Sequence, residues 1–139
     1  MNYKIIGKYI KDLEFNIPSP KTFFLLSKSI SNYKINLDIK SNQIKPNILE
    51  VLTTLSLIPI KDEVEKIKTK IVFSTIVELL NKETDKKNIE KIVLINVPSE
   101  IYGDLRKVFI NLFENSGFND VKINENVDFK KLYKMKKNQ

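Results

Sequence analysis

Ser31 and Lys34 stand in S-x-x-K spacing, in which a lysine can draw the proton from a serine nucleophile, and Asp62, Glu63 and Glu65 gather carboxylates that a hard cation could use. Neither spacing comes with what its chemistry needs. The serine leads into an alternating strand pattern without companion motifs, and the carboxylates have no glycine-bent loop, so the first reads as a strand entry and the second as a solvated turn. The chain has no cysteine and no histidine, which removes disulfides, thiolate zinc sites and every step that runs through imidazole. Its three glycines, Gly7, Gly103 and Gly117, stand too far apart to form a phosphate-cradling loop or a dinucleotide fingerprint. Most cofactor enzymes are thereby excluded; no catalytic residue, no cofactor and no metal is expected.

What remains is binding, and charge is its first clue. Lysine and arginine number 24 against 17 acidic residues, a formal charge of +7, yet Arg106 is the single arginine and alanine is absent. That bias matches AT-rich codons, and a dedicated nucleic-acid reader would more often carry the planar arginine fork. Lys130, Lys131, Lys134, Lys136 and Lys137 form the one biased segment, which reads as a solvated helix face or a disordered end, or else as a contact for RNA, anionic lipid or an acidic partner.

The elements that position these side chains follow from periodicity. With 139 residues, 42% hydrophobic, the chain has the size of one domain spanning 1–139, with a lysine-rich tail over 130–139. Residues 8–16 alternate, with Tyr9, Lys11, Leu13 and Phe15 on one face, and Pro18 and Pro20 end the strand. Phe23 to Leu26 make an apolar knot inside a long crossover, expected as a functional loop. Tyr33 to Lys40 alternate again, the polar run 41–47 reads as a turn, and the segments 48–60 and 66–77 supply two more strands joined by a hairpin. One or two helical turns should precede Pro98. Ser99 then caps a helix whose stripe runs Ile101, Leu105, Val108, Phe109, Leu112 and Phe113 until Gly117 stops it, and Asp128 caps a last helix. The expected fold is α+β: a four-stranded antiparallel sheet with a long crossover loop after the first strand and two C-terminal helices. The uncharged run Val51–Ile60 is about half the length a bilayer-spanning helix requires. The start MNYKIIGKYIKD lacks a signal peptide's apolar core, so a cytoplasmic protein without membrane insertion is expected.

Several of these residues fall into a known order. Pro98, Arg106, Gly117-Phe118, Val127-Asp128-Phe129 and Leu132-Tyr133 follow Tyr9-Ile10-Lys11-Asp12-Leu13, Phe15, Pro18, Pro20, Lys34-Ile35-Asn36-Leu37-Asp38 and Glu50-Val51. From about residue 7 to residue 134 this resembles the SecB family of protein-export chaperones. The resemblance implies a non-enzymatic holdase, assembled as a homotetramer that is a dimer of dimers, which binds unfolded precursor proteins in apolar grooves and passes them to the SecA motor. Carried over position by position, the client groove falls on Phe23, Phe24, Leu25, Ile35, Leu37, Phe129, Leu132 and Tyr133. A tetramer interface is expected at Thr69, Ile71, Phe73, Phe109 and Phe113, whose apolar surface exceeds what one thin sheet layer covers.

The family's SecA face keeps Asp12, while positions usually acidic or apolar hold Asn16, Lys68 and Lys70. Like charges there would repel a basic partner, so SecA contact is expected to move to the lysine-rich end, Lys130 to Lys137. Two alternatives stand beside export: a basic nucleic-acid-binding module, with nucleic acid disfavoured as a partner, and a SecB-like chaperone devoted to a toxin–antitoxin system.

Overall fold

A computed structural model describes residues 2–29, 33–59, 68–80, 85–118, 123 and 125–137. Four strands, β1 (Tyr3–Asn16), β2 (Tyr33–Lys45), β3 (Ile48–Pro59) and β4 (Lys68–Leu79), form one antiparallel sheet in the order β1-β4-β3-β2. The first strand therefore pairs with the last, and the expected crossover after β1 carries the chain to the far edge of the sheet. That crossover is not a loop. Pro20–Ser29 form helix α1, with Pro20 in the first turn, where its missing N–H costs nothing, and Ser19 as cap: its Oγ accepts from Thr22 N at 3.2 Å and its carbonyl from Phe23 N at 3.1 Å. Leu26, 1% exposed, anchors the helix.

β2 runs through the polar stretch expected as a turn, because Ser41, Asn42 and Gln43 pair with Val51, Glu50 and Leu49 and the ladder satisfies their backbone groups. The actual turn is Pro46-Asn47, with Asn47 at φ 67°, a left-handed conformation that asparagine tolerates.

Helix α2 (Lys86–Lys91), capped by Asp85 Oδ1 accepting from Lys87 N at 2.9 Å, a wide turn over Ile92–Asn96, and α3 (Val97–Asn115) run on without a break. In the wide turn, Val97 N–H reaches Ile92 O, five residues back, which opens the ladder just where Pro98 lacks a donor. Ser99 thus lies inside a helix rather than at its start, and its Oγ donates to Ile95 O. The α3 terminus is as expected. Gly117 at φ 95° lets its own N–H reach Glu114 O at 3.2 Å and Phe118 N–H reach Phe113 O at 2.9 Å, with the Phe113 and Phe118 rings 5.7 Å apart. Helix α4 (Phe129–Lys137) starts where Asp128 Oδ1 accepts from Lys131 N at 3.0 Å.

The helices cover one sheet face. Val51, Leu55, Ile71 and Val77 from the sheet and Val97, Leu105 and Phe113 from α3 are fully buried between the layers. Each such side chain contributes about 1.5–3 kcal/mol. This is also where the five expected interface residues lie. Thr69, Ile71, Phe73, Phe109 and Phe113 are all 6% exposed or less within the single chain, so α3 already covers the apolar surface that suggested a partner.

Candidate functional site

The open side of the molecule lies along β2, an edge strand whose helix-facing residues Ile35, Leu37 and Ile39 stay half-buried because α3 lies over the sheet's centre. α4 and the wide helical turn fill part of that gap. Between them sits a cavity of about 160 Å³ lined by Leu37, Asp38, Ile39, Leu94, Phe129, Leu132 and Tyr133. A second hollow, of about 310 Å³, continues along the same strand past Ile39 and Leu94 to Ile89 and Val93. Leu94 and Ile39 line both, so the two form one apolar groove beside the sheet edge. Phe129 is its anchor, 2% exposed with its ring 6.0 Å from Tyr102; Leu132, one turn on, is 45% exposed.

Of the eight expected groove residues, the structure brings Leu37, Phe129, Leu132 and Tyr133 round one cavity. Ile35 packs on the core two positions earlier on β2. Phe23, Phe24 and Leu25 form a separate patch on α1. Phe23 is half-buried, its ring 4.9 Å from Phe118, while Phe24 and Leu25 are 62% and 48% exposed. Sequence reasoning missed Ile39, which shares its face with Leu37, and Leu94. The alternation of β2 could have found the first; the second depends on the wide turn.

On the opposite sheet face, register brings the four expected SecA positions together. Asp12 stands opposite Val72, Glu14 opposite Lys70 and Asn16 opposite Lys68, so Glu14, which the sequence reading passed over, offsets Lys70. Farther along, Glu50 Oε2 accepts from Ser74 Oγ at 2.8 Å and from Lys11 Nζ at 3.2 Å, and Tyr9 OH lies 3.4 Å away. The Ser74 bond first, and the Lys11 bond and charge with it, hold the Glu50 carboxyl below its ordinary value against the opposing effect of burial.

Across the inner face, Tyr3 OH donates to Glu100 Oε1, and burial, then that carboxylate, push the phenol well above its usual range. Lys8 pairs with Asp104 at 2.6 Å. Arg106 Nε donates to Ile123 O at 3.3 Å and ties the segment before α4 to α3.

Ser31, Asp62, Glu63 and Glu65 lie outside the described residues. Among the described residues no cluster of three acidic, histidine or cysteine side chains could hold a metal, and no helix is long and apolar enough to cross a membrane.

A layer of helices on one face of a four-stranded antiparallel sheet, with an apolar groove left open at its edge, defines a two-layer α+β domain. The family model of the preprotein translocase subunit SecB matches residues 1–139. A Pelagibacter ubique protein assigned as the protein-export protein SecB is 40% identical over 137 residues, covering 99% of this chain and 98% of the relative. The protein-export protein SecB of Anaplasma phagocytophilum is 23% identical over 94% of this chain and 89% of its own length. In fold, the chain resembles a Mycobacterium tuberculosis SecB-like chaperone solved with an antitoxin peptide, at a TM-score of 0.66 and 10% identity over 91% of this chain and 88% of that one. The chain belongs to the SecB family of protein-export chaperones.

Proposed function

We propose that this chain holds unfolded precursor proteins in the groove between β2, the wide helical turn and α4, and delivers them for export in the cytoplasm without catalysing a reaction. The observation that carries the reading is the convergence of Leu37, Ile39, Leu94, Phe129, Leu132 and Tyr133 on one open apolar cavity beside an exposed sheet edge. An extended client can satisfy its backbone at such an edge and drop alternate side chains into the cavity, which gives affinity without sequence selectivity. Phe24 and Leu25 on α1 offer a second apolar foothold.

Delivery to SecA and tetramer assembly belong to the same reading. The edge strand β1 leaves Ile6, Ile10 and Leu13 40–49% exposed, and this strip, rather than the buried five, is the surface we assign to subunit contact. SecA is assigned to the outer sheet face near Asp12 and Glu14 rather than to the lysine-rich end, because Glu14 opposite Lys70 offsets the repulsion expected there. The nucleic-acid alternative loses support because Tyr9, the aromatic that register puts on that face, is engaged with Glu50.

Suppression of aggregation of a chemically unfolded protein by the full chain tests the function, with light scattering giving the subunit number. A chaperone of four subunits is the expected result; a monomer that leaves aggregation unchanged contradicts the proposal.

A further inference from the structure

A third concavity, of about 340 Å³, shares Tyr133 with the apolar cavity and differs from it in chemistry. Lys91 at the end of α2, Ile95 and Asn96 of the wide turn, and Lys130 and Lys134, one turn apart on α4, complete its lining. All three lysines are exposed, and no carboxylate is in the lining. Among the described residues none of the three forms an ion pair; the two pairs present engage Lys8 and Lys11 on β1. The nearby acidic groups are turned to other tasks. Asp38 lines the apolar cavity, Glu90 lines the second hollow, and Asp128 caps α4.

Three ammonium groups round one cleft repel one another, and a carboxylate entering between them would relieve that repulsion where the walls partly exclude water. The geometry points to a polar subsite of the client groove: the Lys91, Lys130 and Lys134 cleft takes aspartate or glutamate side chains of the same unfolded segment whose apolar residues occupy the cavity beside Leu132. This rests on the groove reading above. Because both hollows meet at Tyr133, apolar and acidic residues a few positions apart in one extended segment fill both at once. A polypeptide suits the cleft better than a phosphodiester strand. Ile95 and Tyr133 give it apolar walls, and it opens beside a cavity that wants aliphatic side chains, which nucleic acid lacks. The consequence is selection: the chaperone prefers apolar segments flanked by acidic residues and disfavours those flanked by lysine or arginine.

The test compares fluorescent unstructured peptides that share one apolar core and carry acidic, neutral or basic flanks, titrated with the full chain at low and at high ionic strength. The acidic-flanked peptide should bind roughly tenfold tighter than the neutral one at low salt, the basic-flanked one weaker still, and the differences should shrink as salt screens the exposed lysines. The variant Lys91→Gln/Lys130→Gln/Lys134→Gln should bring the acidic-to-neutral ratio close to one. Equal affinity for all three peptides, or a ratio that survives the triple substitution, overturns the assignment. So does tighter binding of a single-stranded oligonucleotide that is lost in the same variant, since the cleft would then serve nucleic acid. Failure of the neutral peptide to bind the unmodified chain overturns the groove reading instead. The subsite is then judged on oligoglutamate alone: binding that falls in the triple variant supports it, and binding that does not overturns it.

Discussion

Ser74, a β4 hydroxyl with no exposed surface, donates to the Glu50 carboxylate of β3 at 2.8 Å on the sheet face turned away from the helices. The bond lies across two central strands and draws Lys11 of β1 into the same cluster. A carboxyl whose folded value is depressed contributes stability above its unfolded value and loses that contribution as pH falls through the folded one. Glu50→Gln should therefore cost about 1 kcal/mol near pH 7 and much less at a pH below the depressed folded value, where the wild-type carboxyl is also neutral. Urea midpoints of both proteins at the two pH values check this; a difference independent of pH would show that shape, not charge, matters at this position.

Three buried hydroxyls make the opposite case. Thr53, Thr69 and Thr75 lie beneath the helices at 3% exposure or less, and their Oγ1 atoms have no hydrogen-bond partner among the described residues. Replacing the hydroxyl by a methyl group of similar shape removes a desolvated polar atom at little steric cost. Thr53→Val and Thr75→Val should each stabilise the chain by about 1 kcal/mol, read from chemical denaturation. A loss of stability would mean that the hydroxyls are satisfied in solution.

Two glycines should respond with opposite signs. At Gly117, φ 95° is strained for an alanine, and an added Cβ would stand 3.3 Å from Phe23 Cε2, so Gly117→Ala should cost about 1–2 kcal/mol and loosen α1. Gly103 sits exposed in α3 with nothing within 4 Å of an added Cβ, and Gly103→Ala should add roughly 0.5–1 kcal/mol. Melting temperatures of the two variants on either side of the wild type are the expected outcome; two shifts of the same sign would contradict it.

Much of this fold can be read from residue order because single residues dominate its punctuation. The stripe from Ile101 to Phe113, the stop at Gly117, the cap at Asp128 and the alternation of Ile35, Leu37 and Ile39 each follow from one periodicity or one backbone preference. β1 resisted such reading. Its register shifts between Ile5 and Gly7 and between Ile10 and Asp12, and the second puts an extra residue between Tyr9 and Phe15. Tyr9 consequently stands opposite Ser74 on the outer face while Phe15 reaches Phe113 on the inner one, their rings 5.2 Å apart, although strict alternation assigns both to one side. α1 was legible in Ser19-Pro20, a cap followed by a first-turn proline, but the four consecutive apolar residues Phe23–Leu26 carry no helical period to mark it. Half of the groove was visible as the α4 stripe Phe129, Leu132 and Tyr133. Its other wall was not, because Leu94 faces the cavity only once the chain opens into a wide turn ahead of Pro98.

The most direct measurement of the central claim is the affinity of an unfolded client for the wild type and for Phe24→Ser/Leu132→Ser. Both side chains are largely exposed, at 62% and 45%, so the fold should survive with little change in melting temperature. The account predicts a loss in client affinity of at least about 2 kcal/mol, roughly thirtyfold. Unchanged affinity in a folded double variant would contradict it and move client binding away from this groove and from α1.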